Sequence, residues 1–251
     1  MVSRRSLLAS AAAPALLLAR PDSRVRGVRL GVQTYSFRDR SIDEAIKATA
    51  DIGLSYAELW SGHLEPPKGT SAAELTRWRT SPEALQLARD VRRKFNQAGI
   101  RVYALSYNMR RQLGDREILA CMAMARELGT RYMTSSSTVD QASRLNRLAW
   151  EGGVTVAMHN HSNVNDPNEF ATPESFARAM AGNERIRVNL DLGHYVAAGF
   201  EPVNYLRQNH SRILTLHAKD RRRNQGENVP FGQGDTPLKE VMLLLRDNGW
   251  Q

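Results

Sequence analysis

The chain has 251 residues, ordinary for a single α/β barrel, and its 41% hydrophobic content is enough for a core. The net charge of +9 favours acidic partners in general. However, Arg4, Arg5 and Arg20 belong to an N-terminal segment, Arg221, Arg222 and Arg223 form one local cluster, and no basic stripe is interleaved with aromatics, so nucleic-acid binding is disfavoured. No stretch beyond the N-terminus reaches bilayer-spanning length. Cys121 is the only cysteine, which excludes an intramolecular disulfide, and it lies in an apolar helical run as a small buried hydrophobe.

Residues 1–20 read as a targeting segment. Ser3-Arg4-Arg5-Ser6-Leu7-Leu8 opens an apolar, alanine-rich run from Leu7 to Ala19 without acidic residues. That is signal-peptide length, too short for a membrane span. The paired arginines resemble a twin-arginine export signal, with a general secretory signal as the alternative. Cleavage between Ala13 and Ala19 is expected, and with it a periplasmic or extracellular location.

From residue 27 to 251 one theme recurs: a short apolar strand, a polar loop, a capped amphipathic helix. Val28–Tyr35 reads as the first strand. Ser41-Ile42-Asp43-Glu44 is a capping box, starting a helix that Gly53 ends. Tyr56–Trp60 is the second strand. Ser81-Pro82-Glu83 opens a helix running to about Gly99, and Arg101–Tyr107 is the third strand. A helix from Asp115 to Leu128 precedes the fourth strand, Tyr132–Ser136. Gln141–Trp150 is helical, and Val154–His159 is the fifth strand. Thr172-Pro173-Glu174 starts a helix ending near Gly182, before the sixth strand, Arg187–Asp191. Glu201-Pro202 starts the next helix, Ile213–His217 is the seventh strand, and Leu238–Asp247 is a final helix.

Strands alternating with helices imply parallel βαβ units. Seven such units predict an α/β fold of the (β/α)8 TIM-barrel type over residues 27–251. The competitor is a doubly wound open sheet, weakened because no glycine-rich dinucleotide fingerprint follows the first strand. The chain reaches Gly249-Trp250-Gln251 where an eighth strand would begin. That strand is therefore expected to be missing from this chain, as in a fragment or truncated product, or its place is closed by another chain; a homo-oligomer is a possible partner state.

Three strand ends carry the chemistry. Alternate residues of a strand share a face. His159 and His161 therefore point together at the end of the fifth strand, Asn189 and Asp191 at the sixth, and His217 and Lys219 at the seventh. Imidazoles and a carboxylate converging from three strands predict a site for a divalent metal. The nitrogen and oxygen donors of His159, Asp191 and His217 suit Mn, Zn, Fe or Co better than Ca or Mg.

In these tracts the chain resembles the sugar phosphate isomerase/epimerase family, the xylose isomerase-like TIM barrels. Asp191-Leu192-Gly193-His194 matches its Asp-x-x-His tract, Leu216-His217-Ala218-Lys219-Asp220 its His-x-Lys-Asp tract, and Gly232-Gln233-Gly234 a Gly-x-Gly loop before the last helix. Glu58-Leu59-Trp60-Ser61-Gly62-His63 resembles a tract after the second strand. The resemblance implies a divalent ion held by Asp191 and His217, with His159 standing where the family has a glutamate. The family's second glutamate, on the eighth strand, has no counterpart. Those two glutamates are the usual proton-transfer pair, so metal binding is better supported than epimerase chemistry.

The expected activity is a metal-dependent sugar or keto-sugar isomerase or epimerase working through an enediolate on a small carbohydrate. His161 and His194 are the candidate acid–base groups and Lys219 the stabiliser of a developing alkoxide. Gln33, Tyr35, Glu58 and His63 are expected on the substrate side. Three alternatives remain: a keto-glycoside lyase on the same site, an endonuclease-four-like phosphodiesterase, and a non-catalytic sugar-binding barrel. The phosphodiesterase would need further early histidines, and only His63 is present there.

Overall fold

The computed structural model describes residues 22–250. The expected signal segment lies outside the described residues. The chain begins with a hairpin, β1 (Arg24–Val25) against β2 (Val28–Arg29). Its turn residues Arg26 and Gly27 have φ of 50° and 94°, the positive pair that a tight hairpin requires. Seven parallel strands follow in sequence order: β3 (Gly31–Gln33), β4 (Tyr56–Trp60), β5 (Arg101–Ser106), β6 (Tyr132–Ser135), β7 (Thr155–His159), β8 (Ile186–Asp191) and β9 (Ile213–His217). They curl into a half-barrel. Among the described residues β3 pairs only with β4 and β9 only with β8, so no eighth strand fills the seam between them.

The helices are α1 (Ile42–Asp51), α2 (Ala72–Arg79), α3 (Pro82–Gln97), α4 (Asp115–Glu127), α5 (Ala142–Gly152), α6 (Pro173–Met180), α7 (Leu192–Ala197), α8 (Pro202–Asn209) and α9 (Leu238–Asn248). Most start where the sequence supplies a cap. The Ser41 hydroxyl accepts from the Glu44 N–H while the Glu44 carboxylate accepts from the Ser41 N–H. Ser81 and Thr172 cap α3 and α6 ahead of a proline.

Two elements depart from the sequence expectation. The single first strand over Val28–Tyr35 is broken into β2 and β3, and a 3-10 turn, Thr34–Phe37, replaces its end. The Ser23–Leu30 hydrogen bonds hold the hairpin off the sheet, so the chain enters the barrel only at Gly31. Helix α2 was not anticipated, although Ser71 and Glu74 form a full capping box. It buries no residue, and is fastened instead by Arg79, which reaches Glu65 at 2.7 Å and Glu117 at 3.0 Å.

Register sets which side chains meet inside. Gln33 pairs with Glu58, His159 with Asn189, Asn189 with Thr215 and Asp191 with His217. One residue to either side on these strands, Leu59, Met158, Val188 and Leu190 are fully buried on the helix side. There they meet α3 to α6 through Ala88, Phe95, Met122, Leu145 and Phe176. Cys121 belongs to this layer, and burial pushes its thiol up to about 12, as suits a packing residue.

Candidate metal centre and active site

Asp191 ends β8 and caps α7, its Oδ1 accepting the His194 N–H at 2.8 Å. Asn160, just beyond β7, grips the same residue from the neighbouring strand. Its Nδ2 donates to the Asp191 carbonyl at 3.1 Å, and its Oδ1 accepts the Asp191 N–H at 2.8 Å. The carboxylate is thus held rigidly and is 1% exposed. The other oxygen, Oδ2, makes no hydrogen bond, and neither does the buried Nδ1 of His159 on β7. Buried polar atoms left unpaired are costly and need an explanation. Donor atoms of His159, Asp191 and His194 lie within 4.8 Å of one another, close enough to share one ion. An unpaired buried imidazole nitrogen, a carboxylate oxygen without a hydrogen bond and a second imidazole fit a divalent metal that would displace the Lys219 ammonium now 3.0 Å from that oxygen.

Lys219 stands at this group. Its Nζ is 3.0 Å from Asp191 Oδ2, an ion pair without hydrogen-bond geometry, and 3.0 Å from His194 Nε2. Its stem crosses Gly193, where a Cβ would come within 2.9 Å of Lys219 Cγ, so this approach is open only to glycine. Arg221 Nη1 meets the other nitrogen of His194, Nδ1, at 2.7 Å. A neutral imidazole has one acceptor nitrogen. Ligation by His194 therefore requires the cations around it to move.

The electrostatics agree with neutral imidazoles around an ionised carboxylate. Burial, then His217, holds His159 well below its ordinary value. Burial takes His194 down to about 4, Lys219 adding to it and Asp191 opposing. For Asp191 burial works upward, but Lys219, His194 and His159 outweigh it and hold the carboxyl low.

A second carboxylate lies across the interior. Glu58 on β4 is buried, its Oε1 accepting from Gln33 Nε2 at 2.7 Å and Thr134 Oγ1 at 2.6 Å. Its Oε2 meets His217 Nε2 at 2.9 Å. Burial opposes ionisation here too, yet His217 and the hydroxyl and amide donors bring Glu58 to about 2. His217 in turn is raised, because Glu58 outweighs its burial. The ring of His217 is 5.0 Å from that of His159, and the Asn189 amide is 3.2 Å from its Nε2. The structure thus sets His217 next to the donor group but engaged with Glu58, while His194, expected as an acid–base residue, lies inside the group.

The remaining expected residues form the rim. The His161 ring is 5.1 Å from His159 and 5.5 Å from His194, and its Nδ1 faces Glu169 Oε1 at 3.4 Å. Gln33 orients Glu58 from below. Tyr35 is 46% exposed and meets Trp60 edge-on at 5.2 Å, and Trp60 meets His63 at 5.4 Å. Asn160, Thr134, Arg221 and Trp60 are not singled out as site residues by the sequence. Of these, Trp60 carried a signal, since it alternates with Glu58 on one strand. Behind the rim, the Asp220 carboxylate is 2% exposed and accepts the N–H groups of Gly232, Gly234 and Thr236 at 2.8, 3.0 and 3.2 Å. A Cβ on Gly234 would sit 2.1 Å from Asp220 Oδ1, which explains the glycine of that loop.

Neither of two cavities encloses the donor group itself. One of about 590 Å³ lies outside the barrel wall between α6 and α8, over Tyr195 and Tyr205. Another, of about 440 Å³, opens beside His161 and Glu169. Donor geometry, not cavity size, places the site.

Comparison with known proteins agrees with this architecture. Similar solved structures include a sugar phosphate isomerase/epimerase from Parabacteroides distasonis, 16% identical, covering 96% of this chain and 87% of that one with a TM-score of 0.62. The zinc-bound IolI protein is 17% identical, with 89% and 86% covered and a TM-score of 0.65. The E. coli 3-keto-D-glucoside 4-epimerase YcjR is 13% identical, with 89% of each chain covered and a TM-score of 0.66. At these identities the likeness is one of fold. Among curated proteins none matches the sequence. Residues 46–251 match a family described as xylose isomerase-like TIM barrel. With that match spanning most of the seven-stranded arc and its polar interior, the chain belongs to the xylose isomerase-like TIM barrel family.

Proposed function

We propose that this protein is a divalent-metal-dependent isomerase or epimerase acting on a small sugar or keto-sugar. The observation that carries the reading is the convergence of the unpaired, buried His159 Nδ1 with His194 and with Asp191 Oδ2, whose only partner is the Lys219 ammonium at 3.0 Å. A Mn, Zn, Fe or Co ion held there, with His217 adjacent, would supply Lewis acidity to the carbonyl and neighbouring hydroxyl oxygens of the substrate. The sugar-acting and zinc-bound neighbours in the fold support the same reading.

The chain's own residues supply the proton chemistry. His161, 44% exposed and faced by Glu169, stands where a base can take a proton from the carbon next to the carbonyl. The electron pair moves onto the carbonyl oxygen, giving an enediolate. Lys219 and Arg221, which flank Asp191 and His194, would supply positive charge to that oxygen. Delivery of a proton to the opposite face, by water or a second side chain, epimerises the carbon; its return to the former carbonyl carbon isomerises the sugar, with the hydroxyl proton of the first carbon passing to the former carbonyl oxygen. Expulsion of a leaving group from the same intermediate would be the lyase variant. Export through residues 1–20 is part of the proposal, with cell fractionation as its check.

The deciding measurement is elemental metal content of the purified protein beside Asp191→Ala, His194→Ala and His217→Ala variants. Near-stoichiometric Mn, Zn, Fe or Co in the parent, lost on replacing Asp191, supports the reading. The two histidine variants show which imidazole completes the set. A folded parent protein that takes up none of these ions sinks it and leaves a sugar-binding barrel.

A further inference from the structure

Outside the barrel wall, the cavity of about 590 Å³ between α6 and α8 has a chemistry of its own. Two helices follow β8 in place of one. Short α7 caps the strand end, and Gly199, at φ 94°, turns the chain into α8. The cavity separates α8 from α6, and Tyr195 and Tyr205 form its floor. Their rings lie 5.2 Å apart, and Phe200 meets Tyr195 at 5.3 Å. Tyr195 is 1% exposed and Tyr205 6%. A tyrosine buried this deeply normally gives its hydroxyl a partner. Neither phenol makes a hydrogen bond among the described residues. Burial raises both, so they stay protonated at neutral pH and can donate.

Charge is ordered along this floor. Tyr195 is acted on by Tyr205 and by Glu174 at the start of α6, whereas Tyr205 is acted on by the Arg212 guanidinium. Arg212 is half-buried and lacks a counter-charge. Its Nε is buried without a hydrogen bond, and its Nη2 reaches only the Met180 carbonyl, at 3.4 Å. Glu201, which also lines the cavity, is taken by Arg223 at 2.5 Å. Arg187 on β8 adds to the positive field, and burial and then Arg212 lower its own value. Guanidinium donors left unpaired in such a place are costly until an anion completes them.

We propose that this cavity is a binding site for a small aromatic carboxylate, with its ring on the Tyr195–Tyr205 floor and its carboxylate on Arg212. The tyrosine faces take a flat apolar ring, and the cavity has the volume for one. The planar guanidinium matches the fork of a carboxylate, with the phenols as further donors. A doubly charged phosphate would have one cation for two charges, with Glu174 nearby. The site lies apart from the metal centre and does not depend on the sugar reading.

The test is calorimetry of the purified full chain against 2-naphthoate and its neutral isostere 2-naphthamide. Naphthoate is expected to bind about tenfold tighter than the amide. In Arg212→Gln that ratio should fall towards one, with the amide still bound. Tyr205→Phe keeps the ring and loses the hydroxyl, and should weaken naphthoate about fivefold. Ala177→Trp, at an exposed position on the α6 wall, should block both probes without moving the thermal midpoint. A parent protein that binds neither probe, or both equally, would overturn the proposal. So would an unchanged ratio in a folded Arg212→Gln variant. Naphthoate binding that survives in Ala177→Trp overturns it too, because the carboxylate is then held elsewhere, as on a bound metal.

Discussion

Glu58 and Asp191 are both buried carboxylates on strands that face each other across the interior, and they are treated in opposite ways. Glu58 uses both oxygens, with Gln33 and Thr134 on one and His217 on the other. Asp191 uses one oxygen to cap α7 and leaves the second without a hydrogen bond. A buried carboxylate with every acceptor filled positions its neighbours. One whose second oxygen is met only by the Lys219 ammonium, beside an unpaired imidazole nitrogen, can exchange that partner for a metal ion.

The largest expected effect comes from Asp191→Asn. Asparagine is as good a helix cap as aspartate, so α7 should survive. Metal affinity should fall by about 100-fold or more, read by calorimetry against Zn and Mn. Retained affinity would erase the distinction between the two carboxylates. Glu58→Gln should behave in the opposite sense. It leaves His217 facing a neutral amide in a buried site, costing about 3 kcal/mol in denaturant unfolding while the metal is still bound. If the metal is lost as fully as in Asp191→Asn, Glu58 is a ligand and the contrast fails.

A third carboxylate sharpens the comparison. Asp220 accepts three backbone N–H groups, so Asp220→Asn should cost about 2 kcal/mol without touching metal affinity. Burial works to raise this carboxyl and the three donors outweigh it, so its folded-state value lies below the ordinary one. A lowered value means stability that is complete above the ordinary carboxylate range and lost as pH falls through the folded value. The gap between parent and variant should therefore be flat from neutral pH upward and close below about pH 4. The smallest effect is expected from Lys219→Met. Removing the ammonium beside Asp191 Oδ2 and His194 Nε2 should tighten metal binding about fivefold. Weaker binding in that variant would mean that Lys219 supports the ion instead of competing with it.

The seven strands and most helices were legible because punctuation and periodicity agreed, as where Ser41-x-x-Glu44 opens α1 and Gly153, at φ 66°, closes α5. Helix α2 escaped because its cap had no apolar stripe behind it, and its anchoring by Arg79 is a tertiary matter. The polar tracts announced His159, Asp191 and His194. What they could not announce was partnership. The bond between Glu58 and His217 depends on how far the sheet curls, and the position of β9 depends on a register shift next to Asn189. The brace of Asn160 on Asp191 likewise joins two strand ends that no local pattern relates.

The order of strands carries a kinetic consequence. Each of β3 to β9 pairs with its neighbour in sequence, so the sheet can grow by short loop closures. His159, Asp191, His194 and Lys219 come from one contiguous stretch covering three adjacent strands, whereas Glu58 and His217 are 159 positions apart. The prospective metal ligands can therefore assemble within a local folding unit. The bridge to Glu58 forms only when the arc is bent, so it acts as the latch of the barrel rather than as its nucleus.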